Sequence, residues 1–242
     1  MDKILLWPDG APGAIGDTKE DKPGITPYMI DNQVKRSAII VCPGGGYCMK
    51  APHEGRPVAL WLNKAGIHAF VLDYRVAPYR HPYPLMDVQR AIRYVRFNAD
   101  RWNIDADKIG ILGFSAGGHL AASAGTHFDY GDDAASDRID RISCRPNVMV
   151  LAYPVITLGR FTNEGSMINL LGEDPPQYLK DELSNELHVN HDTPPTFLWH
   201  TADDEAVPVY NSLIFASELS KHGIAFELHV YESGVHGLGL AE

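Results

Sequence analysis

Basic residues are scarce in this chain. Lysine and arginine number 21 against 31 aspartates and glutamates, a formal net charge of −10 with histidine neutral. That balance disfavours a phosphate backbone or an anionic membrane surface, so neither nucleic acid nor membrane is an expected partner, and a small neutral or apolar molecule fits better. Cysteine is scarcer still. Cys42, Cys48 and Cys144 are odd in number and form no dense framework, which argues against a disulfide-stapled secreted scaffold and for reduced thiols. No window approaches 18 apolar residues, and the apolar stretch around Ile4-Leu5-Leu6-Trp7 is too short for a signal peptide, so the expected address is cytoplasmic. The G-x-x-x-x-G-K-[ST] phosphate loop is missing. His53-Glu54-Gly55-Arg56-Pro57 lacks the second histidine of H-E-x-x-H and contains a helix breaker. No metal and no other cofactor is expected.

What is present suits one globular domain over residues 1–242. The chain is 45% hydrophobic, enough for a full core. Up to about Gly24 it is rich in Pro, Gly and Asp and reads as an irregular arm. Beyond it, strands and helices alternate. Ala38–Cys42, Ile67–Leu72, Lys108–Leu112, Val148–Ala152, Thr196–His200 and Phe226–Tyr231 read as strands. Arg56–Lys64, Leu85–Trp102, Ser115–Thr126 and about Pro208 to His222 read as helices, with Leu85, Val88, Ala91, Ile92 and Val95 inward. Such alternation predicts an α/β fold with a mostly parallel sheet covered on both faces. Between Pro154 and Thr193 the pattern breaks into a Gly- and Pro-punctuated stretch, read as a small cap insertion above the sheet.

The strand Ile109-Gly110-Ile111-Leu112 runs into Gly113-Phe114-Ser115-Ala116-Gly117, and a helix follows at once. A sharp strand-to-helix turn needs small residues on both sides of its serine, because neighbouring chain comes close there. The turn lifts the hydroxyl above the sheet at a helix N-terminus, which favours developing negative charge. Ser115 is therefore the candidate nucleophile. An unassisted serine is weak. It needs a histidine to take its proton and a carboxylate to orient that histidine.

Of the 11 histidines, His236 lies in the glycine-flanked loop Ser233-Gly234-Val235-His236-Gly237 after the last strand, where a base belongs. His119, His200 and His229 read as hydrogen-bonded core or edge residues. Asp203, Asp204 and Glu205 compete for the acid, and spacing alone does not choose among them. Asp204 matches the D-x-x-V-P form of this kind of fold, with Asp203 left to cap the following turn and Glu205 exposed. Pro43-Gly44-Gly45-Gly46-Tyr47 follows the first core strand at the position of an H-G-G-G oxyanion motif, with proline in place of histidine. Because the donors there are backbone amides, Gly45, Gly46 and Ala116 are the candidate oxyanion hole.

Together these motifs resemble the α/β-hydrolase superfamily, and within it the bacterial acetyl esterase and acetylxylan-esterase-like group, relatives of the hormone-sensitive-lipase-like esterases. The resemblance runs from Leu6-Trp7-Pro8 through Pro43–Tyr47, His53-Glu54-Gly55, Asp73–Pro78, Gly113–Leu120 and His200–Asp204 to His236-Gly237. It implies a serine carboxylesterase with Ser115, Asp204 and His236 as the catalytic triad. The implied substrates are short-chain, chiefly acetyl, esters of sugars or xylan fragments. Arg75 and Asp87 match family positions and read as a structural polar pair, while Tyr47 and His53 are pocket candidates. Relatives add a closing helix, whereas here Glu242 comes six residues after His236. Two other readings stay open: a prolyl-peptidase-type serine peptidase, and a non-catalytic ligand-binding homologue. A homodimer is permitted but not required.

Overall fold

The computed structural model describes residues 2–31 and 34–241. Its centre is an eight-stranded sheet in the order β1-β2-β4-β3-β5-β6-β7-β8. The strands are β1 Ile4–Leu5, β2 Gly24–Tyr28, β3 Arg36–Cys42, β4 His68–Asp73, β5 Ile104–Phe114, β6 Met149–Ala152, β7 Thr196–Thr201 and β8 Phe226–Tyr231. From β4 to β8 every neighbouring pair is parallel; β1 and β2 close one edge in antiparallel pairing. The helices are α1 Arg56–Lys64, α2 Tyr83–Phe97, α3 Ser115–Thr126, α4 Glu164–Leu171, α5 Gln177–Glu182 and α6 Tyr210–Lys221. This is the α/β-hydrolase architecture that the motifs predict. Among the described residues no helix is long and apolar enough to cross a membrane.

The period-2 geometry of a strand sorts side chains to opposite faces. In β3, Ala38, Ile40 and Cys42 join the larger core with Val88, Ile92 and Val95 of α2, while Ile39 and Val41 join a smaller one with Val58 and Leu62 of α1. Helix α3 is buried along almost its whole length, from Ala116 to Thr126. Its Ala- and Gly-rich make-up suits it to lie close against the sheet.

Two expectations are corrected. The segment before Gly24 is not wholly irregular. Ile4–Leu5 pairs with β2, and Arg75 ties the intervening arm down by donating from its guanidinium to the Pro12 carbonyl at 2.6 Å. The helix read as Leu85–Trp102 instead spans Tyr83–Phe97. It starts earlier because Pro84 sits in the first turn, where its missing N–H has no partner to lose. It stops earlier because the chain turns after Asn98, and Trp102 packs from that turn against Phe70 and Tyr94.

The Arg75–Asp87 pair is structural, as read. Both side chains are fully buried, the guanidinium meets the carboxylate at 2.7 Å, and the Arg75 backbone N–H donates to the same group at 2.8 Å. The rings of Trp7, Tyr79 and Tyr83 surround the guanidinium at 4.8–5.7 Å. One contact set thus locks the arm, the end of β4 and the start of α2 together.

Registry brings the carboxyl ends of the parallel strands to one level: Cys42 lies beside Gly113, Phe114 beside Ala152, and Ala152 beside Trp199. The loops leaving those ends therefore converge on one crevice, the usual ligand position in an open α/β sheet.

Candidate active site

Ser115 is the first residue of α3, immediately after β5, and holds a left-handed backbone conformation with φ of 52°. A non-glycine residue in that region is strained, and the surrounding structure must hold it there. The turn is possible because its flanking residues have no side chains. A Cβ on Gly117 would lie 2.2 Å from the Cys42 carbonyl oxygen, and one on Gly113 would lie 2.1 Å from the Gly117 carbonyl oxygen. The Ser115 carbonyl in turn accepts from the Val155 N–H at 3.1 Å, which fixes the turn to the chain leaving β6.

His236, in the loop after β8, stands with Nε2 2.8 Å from Ser115 Oγ and Nδ1 2.7 Å from Asp204 Oδ2. With a hydroxyl on one side and a carboxylate on the other, the ring donates from Nδ1 and accepts at Nε2. Asp204 is buried. Its other oxygen accepts from the N–H groups of Ala206 and Val207 at 2.9 and 2.8 Å. Burial pushes its carboxyl upward in pKa, but contacts from His200, His236 and the Val207 N–H outweigh this and hold it well below the usual carboxylate range. It stays ionised beside the imidazole. His200 is a positioning core residue: its Nδ1 accepts from the Ser212 hydroxyl at 2.8 Å and its Nε2 donates to the Val207 carbonyl at 2.9 Å.

The three competing carboxylates separate by role. Asp204 reaches His236. Asp203, expected to cap the turn, instead accepts from the Gly234 N–H at 2.9 Å and so anchors the loop that carries the histidine. The turn is capped by Asp204 itself, whose buried oxygen lies within reach of the amides. Glu205 is exposed.

Gly45 and Gly46 lie beside Ser115 and His236 in a recess of about 260 Å³, which His53, Asn163, Ser166 and Ala206 also line. Gly45 has φ of 128°, a conformation that L side chains rarely adopt, so the candidate oxyanion loop depends on glycine there. Ala116 follows Ser115 within the first turn of α3. His53 lies at the recess and its Nε2 donates to the Gly237 carbonyl at 2.9 Å. Tyr47 does not line it. Its side chain is 2% exposed, and its hydroxyl donates to His119 Nδ1 at 2.8 Å. A left-handed backbone, with φ of 57°, turns the residue away from the glycines that precede it and into the core. A larger apolar cavity of about 690 Å³ lies between α1 and the sheet, around Trp61, Ile67, Trp199 and Leu240; neither Ser115 nor His236 lines it.

The sequence reading missed the residues that hold this crevice together. Asn163 caps α4, accepting from the Ser166 N–H at 2.9 Å, and donates to the Ala206 carbonyl in the acid loop at 2.9 Å. Asn169, six residues on, donates to the Gly46 carbonyl at 2.7 Å. The Asn163-Glu164-Gly165-Ser166 cap was the available signal; its long-range partners were not. Glu54 and Tyr153 were missed as well.

A model of the BD-FAE family matches residues 28–219. The chain belongs to the BD-FAE family. This BD-FAE member is 42% identical over 223 residues to a protein of Butyrivibrio fibrisolvens named endo-1,4-beta-xylanase B, and 37% identical over 208 residues to an acetylxylan esterase of Xylanibacter ruminicola. Those matches take in 90% and 84% of the chain but 35% and 41% of the relatives' lengths. Among solved structures, an acetyl ester-xyloside bifunctional hydrolase from Caldicellulosiruptor lactoaceticus superimposes with a TM-score of 0.95 at 53% identity, covering 99% of this chain and 89% of that one. The BD-FAE match and these neighbours set the chain among the esterase-like α/β-hydrolases, the group that the motifs resemble.

Proposed function

We propose that the chain is a carboxylic ester hydrolase that removes acetyl groups from sugars, xylan fragments above all, through an acyl-enzyme on Ser115. The hydrogen-bonded run Ser115–His236–Asp204 carries this reading. His236 takes the Ser115 proton as Oγ attacks the ester carbonyl, and Asp204 holds the imidazole in the required tautomer and offsets its positive charge. The N–H groups of Gly45, Gly46 and Ala116 receive the oxyanion, each donor contributing about 3 kcal/mol to the transition state in comparable sites. His236 then protonates the leaving alcohol, and a water activated by the same ring releases acetic acid.

The preference for a short acyl group rests on the recess, whose volume of about 260 Å³ is bordered by glycine, alanine, serine and asparagine. Its polar rim at His53, Asn163 and Ser166 suits a hydroxylated alcohol. The acetylxylan esterase and acetyl ester-xyloside hydrolase similarities favour xylan fragments as the source of that alcohol. On this reading residues 154–193 act as the cap of a single domain, supplying Asn163 and Ser166 to the rim. A cytoplasmic address is part of the same proposal, supported by free thiols at Cys42, Cys48 and Cys144.

Turnover of p-nitrophenyl acetate should fall by about 10⁴-fold or more in Ser115→Ala. Rates on p-nitrophenyl esters should decline steadily beyond butyrate, and acetylated xylo-oligosaccharides should release acetate. Parental turnover in Ser115→Ala refutes the nucleophile, and a rate maximum near eight acyl carbons refutes the acetyl reading.

A further inference from the structure

Glu54 sits between α1 and the oxyanion loop and is 2% exposed. One carboxylate oxygen accepts from the Gly44 N–H at 2.7 Å, directly before Gly45 and Gly46; the other accepts from the Tyr153 hydroxyl at 2.7 Å. The same hydroxyl oxygen accepts from the Gly239 N–H at 2.7 Å, in the loop that carries His236. The Tyr153 ring stands edge-on to His236 with centroids 5.1 Å apart. His53, next to Glu54, holds the Gly237 carbonyl of that loop, and its Nε2 lies 3.8 Å from Glu54.

We propose that Glu54 and Tyr153 are positioning residues that couple the oxyanion loop to the base loop, keeping Gly45 and Gly46 in register with His236. The proposal rests on the esterase reading above.

A buried carboxylate is costly unless its acceptor capacity is used. Here both oxygens meet donors that no apolar residue could satisfy. Burial and the neighbouring Glu54 push the Tyr153 phenol up, so it remains a donor to the carboxylate. The two loops leave different strands, β3 and β8, which lie far apart in the sheet order. Direct strand pairing therefore does not link them, and the Gly44–Glu54–Tyr153–Gly239 run does.

An isosteric amide separates an acceptor role from mere packing. Glutamine fills the same volume but has one acceptor oxygen, so its NH₂ faces either the Gly44 N–H or the Tyr153 hydroxyl, which already accepts from Gly239. Glu54→Gln, Tyr153→Phe and the double variant are compared with the parent by p-nitrophenyl acetate kinetics and by amide hydrogen exchange over residues 43–47 and 237–240. Each single variant should lose roughly 10–100-fold in kcat with KM within about two-fold, since small misplacement of catalytic groups acts on turnover. The double variant should lose no more than the worse single one, because both break one path. Exchange should quicken in both loops in each variant.

Parental kcat in Glu54→Gln, multiplied losses in the double variant, or faster exchange confined to one loop overturns the coupling. Thermal melting checks that each variant is folded. If Glu54→Gln does not fold, Tyr153→Phe, which keeps the ring and removes one hydroxyl, carries both readouts. If the parent shows no hydrolysis, the esterase reading fails and the exchange measurement still decides the coupling.

Discussion

His119, on α3 four residues after Ser115, should make the fold acid-sensitive in a pH window of its own. Its side chain is 1% exposed, accepts from the Tyr47 hydroxyl at Nδ1, and donates from Nε2 to the Leu183 carbonyl at 2.8 Å. Burial lowers its pKa from 6.5 to about 4, so the folded chain keeps the ring neutral where an unfolded chain protonates it. Between those values the unfolded state binds more protons, so stability is full above pH 6.5 and drains away as pH falls towards 4. From about pH 7.5 to about pH 5 the loss from this one ring is about 2 kcal/mol, approaching about 3 kcal/mol below pH 4. Other histidines with lowered pKa, among them His81 and His127, add to the drop in the parent, so the informative quantity is a difference. His119→Gln offers an oxygen to Tyr47 and an NH₂ to Leu183 but cannot titrate. Urea midpoints of the two proteins should converge on acidification by about 1 M, taking a denaturant slope of about 2 kcal/mol/M. Equal falls for parent and variant would refute the claim that burial holds His119 neutral. Asp204 does not confuse the result, because its pKa is depressed and its share of stability is lost only below the ordinary aspartate range.

Other consequences follow from packing. Arg75→Met strands the buried Asp87 carboxylate and should cost about 3–5 kcal/mol in urea unfolding, with faster proteolysis of the N-terminal arm that Arg75 ties down at Pro12. Gly117→Ala drives a Cβ into the Cys42 and Pro43 carbonyls, at 2.2 and 2.5 Å, and neither is a side chain that can swing aside. It should destabilise the fold by about 2 kcal/mol or more, and its p-nitrophenyl acetate turnover should drop further than that of Gly223→Ala, where the backbone is left-handed but the added Cβ meets nothing. Asn169→Ala gives up the bond to the Gly46 carbonyl. Stability should fall by about 1 kcal/mol and kcat by about 3–10-fold, as read by melting and p-nitrophenyl acetate turnover.

The features legible in the sequence are those whose cause is local. The apolar run into Gly113-Phe114-Ser115-Ala116-Gly117 marks a strand, a tight turn and a helix, because only small residues survive the contacts that the turn creates. The candidate Ser115, Asp204 and His236 stand where their loops put them, and the parallel core strands follow from short apolar stretches bounded by turn residues. What was not legible is set by partners distant in the chain. β2 contains Gly24 and Pro27, which read as breakers, and it forms because β4 offers it an antiparallel edge. Tyr47 looks like a pocket aromatic until His119, 72 residues away, claims its hydroxyl. Glu54, Tyr153 and Gly239 are separated by most of the molecule's length, and no spacing rule joins them. Asp203 and Asp204 diverge because one points at the Gly234 amide and the other at an imidazole, a distinction of direction that neighbouring letters do not carry.

Asn163 and Asn169 fasten one short helix to two different loops, the acid loop at Ala206 and the oxyanion loop at Gly46. On the proposed esterase reading, the wall that an incoming alcohol would meet is therefore also a brace across the crevice. Grafting this segment from a relative to alter selectivity is not a modular exchange, because whatever replaces it must restore both fastenings. A chimera that loses either asparagine will report altered turnover as though it were altered preference. Keeping both fixed while varying residues 164–168 separates the two.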